Sequence, residues 1–122
     1  MISDLEDVPA GSRPVVLATL ERAGVDQCHL AVVEVDRDRI TELNRDYRGF
    51  DRPTDVLSFP IDPEAGGPGP RELGDVFVCR EECEDFDEAV VHGVLHLLGF
   101  DHETDDGEML ALQAEIMDSL RG

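Results

Sequence analysis

Apolar positions divide the chain into seven segments. Val15, Val16, Leu20 and Ala23 recur at helical spacing after Ser12, a suitable N-cap, and Pro14, which suits a first turn. Gly24 closes that helix. Leu30 to Val35 is rich in β-branched residues and predicts a strand. From Asp36, a second N-cap, Ile40, Leu43 and Tyr47 share one helical face, ending near Gly49. Val56 to Phe59 is a short strand between Pro53 and Pro60, which suggests a sheet edge. The next stretch, 61–71, holds three prolines and three glycines and reads as a loop. Leu73 to Cys79 predicts a third strand. A helix follows over roughly 84–98, apolar almost all round from Ala89 to Leu98 and so expected at the centre. Met109, Leu112, Ile116 and Leu120 form one stripe on a last helix, about 105–120. The order α-β-α-β-β-α-α gives an α+β fold with a small mixed sheet packed against helices.

The central helix carries the chemistry. Three of the four histidines lie at 92, 96 and 102. His92 and His96 are four apart and share one helix face, the spacing that lets two imidazoles meet one metal ion. Gly99 suits a left-handed helix cap that turns the chain back and lets His102 return to the pair. Three neutral imidazoles with a fourth position open to water describe a catalytic zinc site, one Zn2+ per chain. In the helical zinc motif H-E-x-x-H a glutamate follows the first histidine as general base. Here that position is Gly93. Glu88, four residues before His92, reads as a first-turn acid or a partner of the ligands; Asp75 and Asp101 are further candidates for holding ring N–H groups.

Composition changes this picture only in part. At 122 residues and 41% hydrophobic, the chain is expected to form one domain, 1–122. Met1 to Asp7 is acidic and lacks the apolar stretch of a signal peptide, and no apolar run is long enough to span a membrane. A cytoplasmic protein with no membrane partner is the expectation. Cys28, Cys79 and Cys83 are an odd count, against a disulfide framework. The Cys79–Cys83 spacing is a poor zinc match, so buried thiols are expected. The net charge is −19 and every positive residue is an arginine. Such a balance repels nucleic acid at long range, although arginines and a metal ion at one groove can outweigh it locally. Taken alone, Arg48 reads as a surface arginine paired with Asp46 or Asp51, and Ser58 as a strand residue, since no nucleophile elbow surrounds it.

YRGFDRPTDVLSFP at 47–60, LGDV at 73–76 and HGVLHLLGFDHE at 92–103 together resemble the YbeY family of metal-dependent endoribonucleases, from about Asn44 onward. The resemblance implies a zincin-like α+β architecture, with His92, His96 and His102 as the zinc ligands and Arg48 acting in catalysis. It implies a single-stranded RNA substrate, trimming of the 3′ end of small-subunit ribosomal RNA, and quality control of ribosomes. Arg45 and Arg52, flanking Arg48, would extend a phosphate track. One departure is the short segment Arg80 to Glu88, where the family carries roughly one more helix. A zinc peptidase or other small hydrolase is the first competing reading, which Gly93 disfavours. The second is a ribosome-assembly factor with a structural metal. The oligomeric state is not set by the sequence.

Overall fold

The structure, a computed structural model, describes residues 6–25, 28–61, 71–100 and 106–121. Its elements are α1 (Arg13–Arg22), β1 (Cys28–Glu34), α2 (Arg37–Arg48), β2 (Val56–Pro60), β3 (Arg71–Val78), α3 (Phe86–Leu97) and α4 (Glu108–Arg121). Short 3-10 turns at Ala10–Ser12 and Arg80–Glu82 precede α1 and α3. The order and type of all seven elements match the expected pattern. Ser12 stands at the N-cap position of α1 as expected, but it is buried in the first 3-10 turn and its side chain makes no capping hydrogen bond.

β3 is the middle strand. β1 pairs with it in parallel and β2 antiparallel. The proline-bounded β2 is therefore an edge strand, where the missing N–H of Pro60 costs no ladder bond. Opposite Pro60 lies Gly74, with φ +129°. A Cβ there would run into the Phe59 carbonyl oxygen, so only glycine lets β2 and β3 approach.

Alternate side chains of the sheet face two different layers. Leu30, Val32, Val76 and Val78 pack with Val90 and Val94 of α3 and with Val16 and Leu20 of α1. Leu57 on the other face packs with Ile40 and Leu43 of α2, Phe59 and Phe77 adjoining. α3 also packs Val91 and Leu95 against Val15, Met109 and Ile116 of α1 and α4. Its nearly continuous apolar surface is thus explained: the sheet covers one side and two helices the other. Two stripe positions depart from expectation. Leu120 is 40% exposed near the end of α4, where Met117 takes the buried place. Tyr47, in the last turn of α2, is 69% exposed, its ring meeting Phe59 of β2 edge-on.

The fourth histidine is an electrostatic clip. His29 on β1 places Nδ1 2.7 Å from Glu72 and Nε2 2.7 Å from Asp7. Hydrogen bonding to Glu72 first, and then to Asp7, raises its pKa above the ordinary 6.5. Proton binding therefore favours folding. The contribution is complete below the unfolded value and is lost as the pH rises through the folded one. His29→Gln is expected to lower the denaturant midpoint more at pH 6 than at pH 9. A midpoint difference independent of pH would refute the clip.

Candidate functional site

α3 is built to hold its histidines. Asp85 accepts the Glu88 amide at 3.2 Å, and Asp87 and Glu88 occupy the positive first turn. At the other end Gly99, with φ +98°, donates to the His96 carbonyl at 3.0 Å, and Phe100 to that of Leu95 at 3.1 Å. This pair of bonds is a Schellman cap, which turns the chain sharply after the second histidine.

Gly93 lies directly under the sheet. A Cβ there would stand 2.5 Å from Val76 Cγ1 and 2.9 Å from Val56 Cγ2. The Gly93 carbonyl accepts the Ser58 hydroxyl at 2.8 Å, tying β2 to α3. That proton is thereby engaged, and Ser58 is a clamp in the wall. Position 93 has no room for the glutamate of H-E-x-x-H.

His92 and His96 are half-buried, with ring centroids 4.7 Å apart and Nε2 atoms 3.2 Å apart. His92 Nδ1 donates to Gln113 Oε1 on α4 at 2.8 Å. This fixes the tautomer and turns the Nε2 lone pair toward His96. For the His92 ring Gln113 takes the kind of role for which Glu88, Asp75 and Asp101 were candidates. Nothing in the sequence places a glutamine 21 residues downstream at that ring; the signal lies in the packing of α4 on α3. Asp101 and His102 lie outside the described residues. Among the described residues no group of three or more potential ligand side chains forms.

A groove of about 800 Å³ opens over the two histidines. Its lining includes Tyr47, Arg48, Asp55, Ser58, Phe59 and Phe100. Arg48 therefore shares one space with His92 and His96. Its guanidinium lies 5.5 Å from the Phe50 ring centre, and among the described residues it has no carboxylate partner. The ion pair expected there belongs to Arg45, which lies 3.2 Å from Asp46 and 4.0 Å from Asp51. Neither Arg45 nor Arg52 lines the groove; Arg52 packs over Phe50 at 5.1 Å. An adjoining hollow of about 330 Å³ shares His92 and Asp55 with the groove and adds Glu82, Glu84, Asp85 and Glu88. So many carboxylates beside His92 attract cations and repel phosphate.

The cysteines stand apart from this chemistry. Cys28 and Cys79 are buried, and the Cys83 thiol donates to the Cys79 carbonyl at 3.1 Å. Burial first, and then the charge of Asp55, pushes the Cys83 thiol up to about 11, so it stays protonated.

Residues 6–121 match the family model described as Endoribonuclease YbeY. The chain belongs to this family. An Endoribonuclease YbeY from Persephonella marina is 38% identical over 117 residues, covering 84% of this chain and 76% of its own. One from Bacillus subtilis is 38% identical over 121 residues, covering 81% and 77%. A solution structure from Thermotoga maritima is 34% identical, covers 89% of this chain and 83% of its own, and superposes with a TM-score of 0.51. The stretches 47–60 and 92–100 contain α2's end, β2 and much of α3, and the groove is lined from these stretches. Among the described residues no helix is long and apolar enough to cross a membrane.

Proposed function

We propose that this chain is a metal-dependent endoribonuclease that cleaves single-stranded RNA in the His92–His96 groove. The observation that carries this reading is the pair of Nε2 atoms 3.2 Å apart in a groove that also holds Arg48. Two imidazole nitrogens bound to one tetrahedral zinc at 2.0–2.1 Å would lie about 3.3 Å apart, so the pair fits such an ion. His92 and His96 would hold it, with His102 as third ligand, one zinc per chain. When bound, zinc supplies Lewis-acid polarisation of a phosphoryl oxygen and eases ionisation of water at neutral pH. The zincin-like relation of helix to sheet belongs to the same reading.

The chain's own residues do the rest. Arg48 presents an always-charged fork to the non-bridging oxygens of the scissile phosphate. Gln113 keeps the His92 lone pair aimed. Ser58 and Gly93 hold β2 on α3, which fixes the groove wall. Acids beside His92 strengthen cation binding and turn phosphate away from that flank. From the family follow maturation of the 3′ end of small-subunit ribosomal RNA, ribosome quality control, action on the ribosome or its small subunit, and a place in the cytoplasm. Arg45 and Arg52 are outer contacts at most, because neither reaches the groove lining.

The test is elemental analysis of the purified protein beside an RNA-cleavage assay with and without chelator. Cleavage that is unaffected once metal has been removed would refute the reading. Gln113 offers a finer check. Gln113→Leu is expected to weaken metal binding about 10- to 100-fold in a chelator competition. Gln113→Glu, which still accepts from Nδ1, should retain it. Equal affinities for parent and leucine variant would remove Gln113 from the site.

A further inference from the structure

We propose that Tyr47 is a stacking platform for one unpaired base of the RNA, and that this contact, more than phosphate attraction, carries the affinity. The proposal rests on the endoribonuclease reading above. Tyr47 is the only tyrosine in the chain, and it stands 69% exposed at the rim of the groove. An α2 position on the Ile40–Leu43 face would ordinarily be buried. Here the ring is nevertheless held in place: its partner Phe59 lies 5.0 Å away at 64°, and Phe59 meets Phe77 at 5.5 Å and 71°. This edge-to-face ladder anchors the ring in the α2–sheet core while most of its surface stays open. A rigid, solvent-facing ring is the surface on which splayed RNA bases stack.

Charge explains why the platform is needed. The chain carries −19, and the neighbouring hollow is lined with carboxylates. Among the described arginines only Arg48 lines the groove. Arg45 is engaged by Asp46, and the guanidinium groups of Arg48 and Arg52 both pack on Phe50. Phosphate contacts are therefore few, and the long-range field opposes them. Stacking is uncharged, insensitive to that field and tolerant of sequence. Phe50, the other exposed aromatic of this segment, is 44% exposed and already carries the two guanidinium groups, whereas Tyr47 is the more open ring. Because Tyr47 adjoins Arg48 in the chain and in the groove, the stacked base belongs to a nucleotide next to the phosphate that Arg48 holds.

The experiment follows binding of a labelled short single-stranded oligoribonucleotide by anisotropy across a salt series. Tyr47→Ala should weaken binding about ten-fold, with the slope of log affinity against log salt unchanged. Tyr47→Phe should bind like the parent. The chain has no tryptophan, so Tyr47→Trp adds a single reporter whose emission should be quenched by the stacked base. Equal affinity in Tyr47→Ala, a flattened salt slope in that variant, or binding by Tyr47→Trp without quenching would each overturn the proposal. If the parent protein fails to bind the oligoribonucleotide at all, the endoribonuclease reading itself falls first.

Discussion

His96→Ala is expected to release the metal and reduce RNA cleavage to the level of chelator-treated protein, while the helix that carries it remains folded. His96 is half-buried in the last turn of α3, and its side chain faces the groove. The packing of α3 is supplied instead by Val90, Val91, Val94 and Leu95, all fully buried. Truncating His96 thus opens the groove floor without cutting the core. It leaves His92 without its Nε2 partner at 3.2 Å. On the proposed ligand set, His92 and His102 alone would be too few ligands to hold zinc against competing water. His92→Ala should behave alike and also leaves Gln113 without its ring partner, so the two losses should not add in the double variant. Because the ligands must be neutral, metal retention should also fall as the solution is acidified. The measurement is metal content and cleavage rate on the same preparation. A stoichiometric metal ion retained by the double variant would place the site elsewhere.

The sequence conveyed these elements because their local signals agree. Asp36 and Asp85 cap the helices that follow them, and Gly49 and Gly99 end those helices at positive φ. The proline-bounded β2 is at the sheet edge as its composition suggested. What the sequence could not convey is which nonlocal partner each side chain meets. Arg45 and Arg48 both have acids close by in sequence, yet Arg45 takes Asp46 while Arg48 lies in the groove. Gln113 reaches His92 only because α4 packs on α3. Gly93 looked like a missing general base; in the fold it is the place where two valines of the sheet need the space. That steric fact disfavours a peptidase built on H-E-x-x-H more strongly than the bare substitution does. Tyr47 leaves the buried stripe for a reason that periodicity does not contain: its ring meets the sheet edge-on at Phe59, and most of its surface stays open.

Arg48→Ala separates catalysis from metal binding. Arg48 lines the groove with His92 and His96, is exposed, and rests on Phe50 at 5.5 Å without a carboxylate partner among the described residues. Its removal takes nothing from the core, so the unfolding midpoint and metal content should stay at parental values. Cleavage should fall on the order of 10²-fold or more, as when one preorganised donor to a developing oxyanion is deleted. The fall should lie mainly in kcat, since a contact that strengthens as charge grows on phosphorus favours the transition state over bound RNA. Arg48→Lys should recover only part of the rate, because an ammonium is a point charge and cannot bridge two oxygens as the planar guanidinium does. Phe50 sharpens the comparison, since a guanidinium also stacks on the ring that orients it. Full cleavage by Arg48→Ala would make this arginine a bystander. Loss of metal together with activity would assign it to the scaffold of the histidine site rather than to the phosphate.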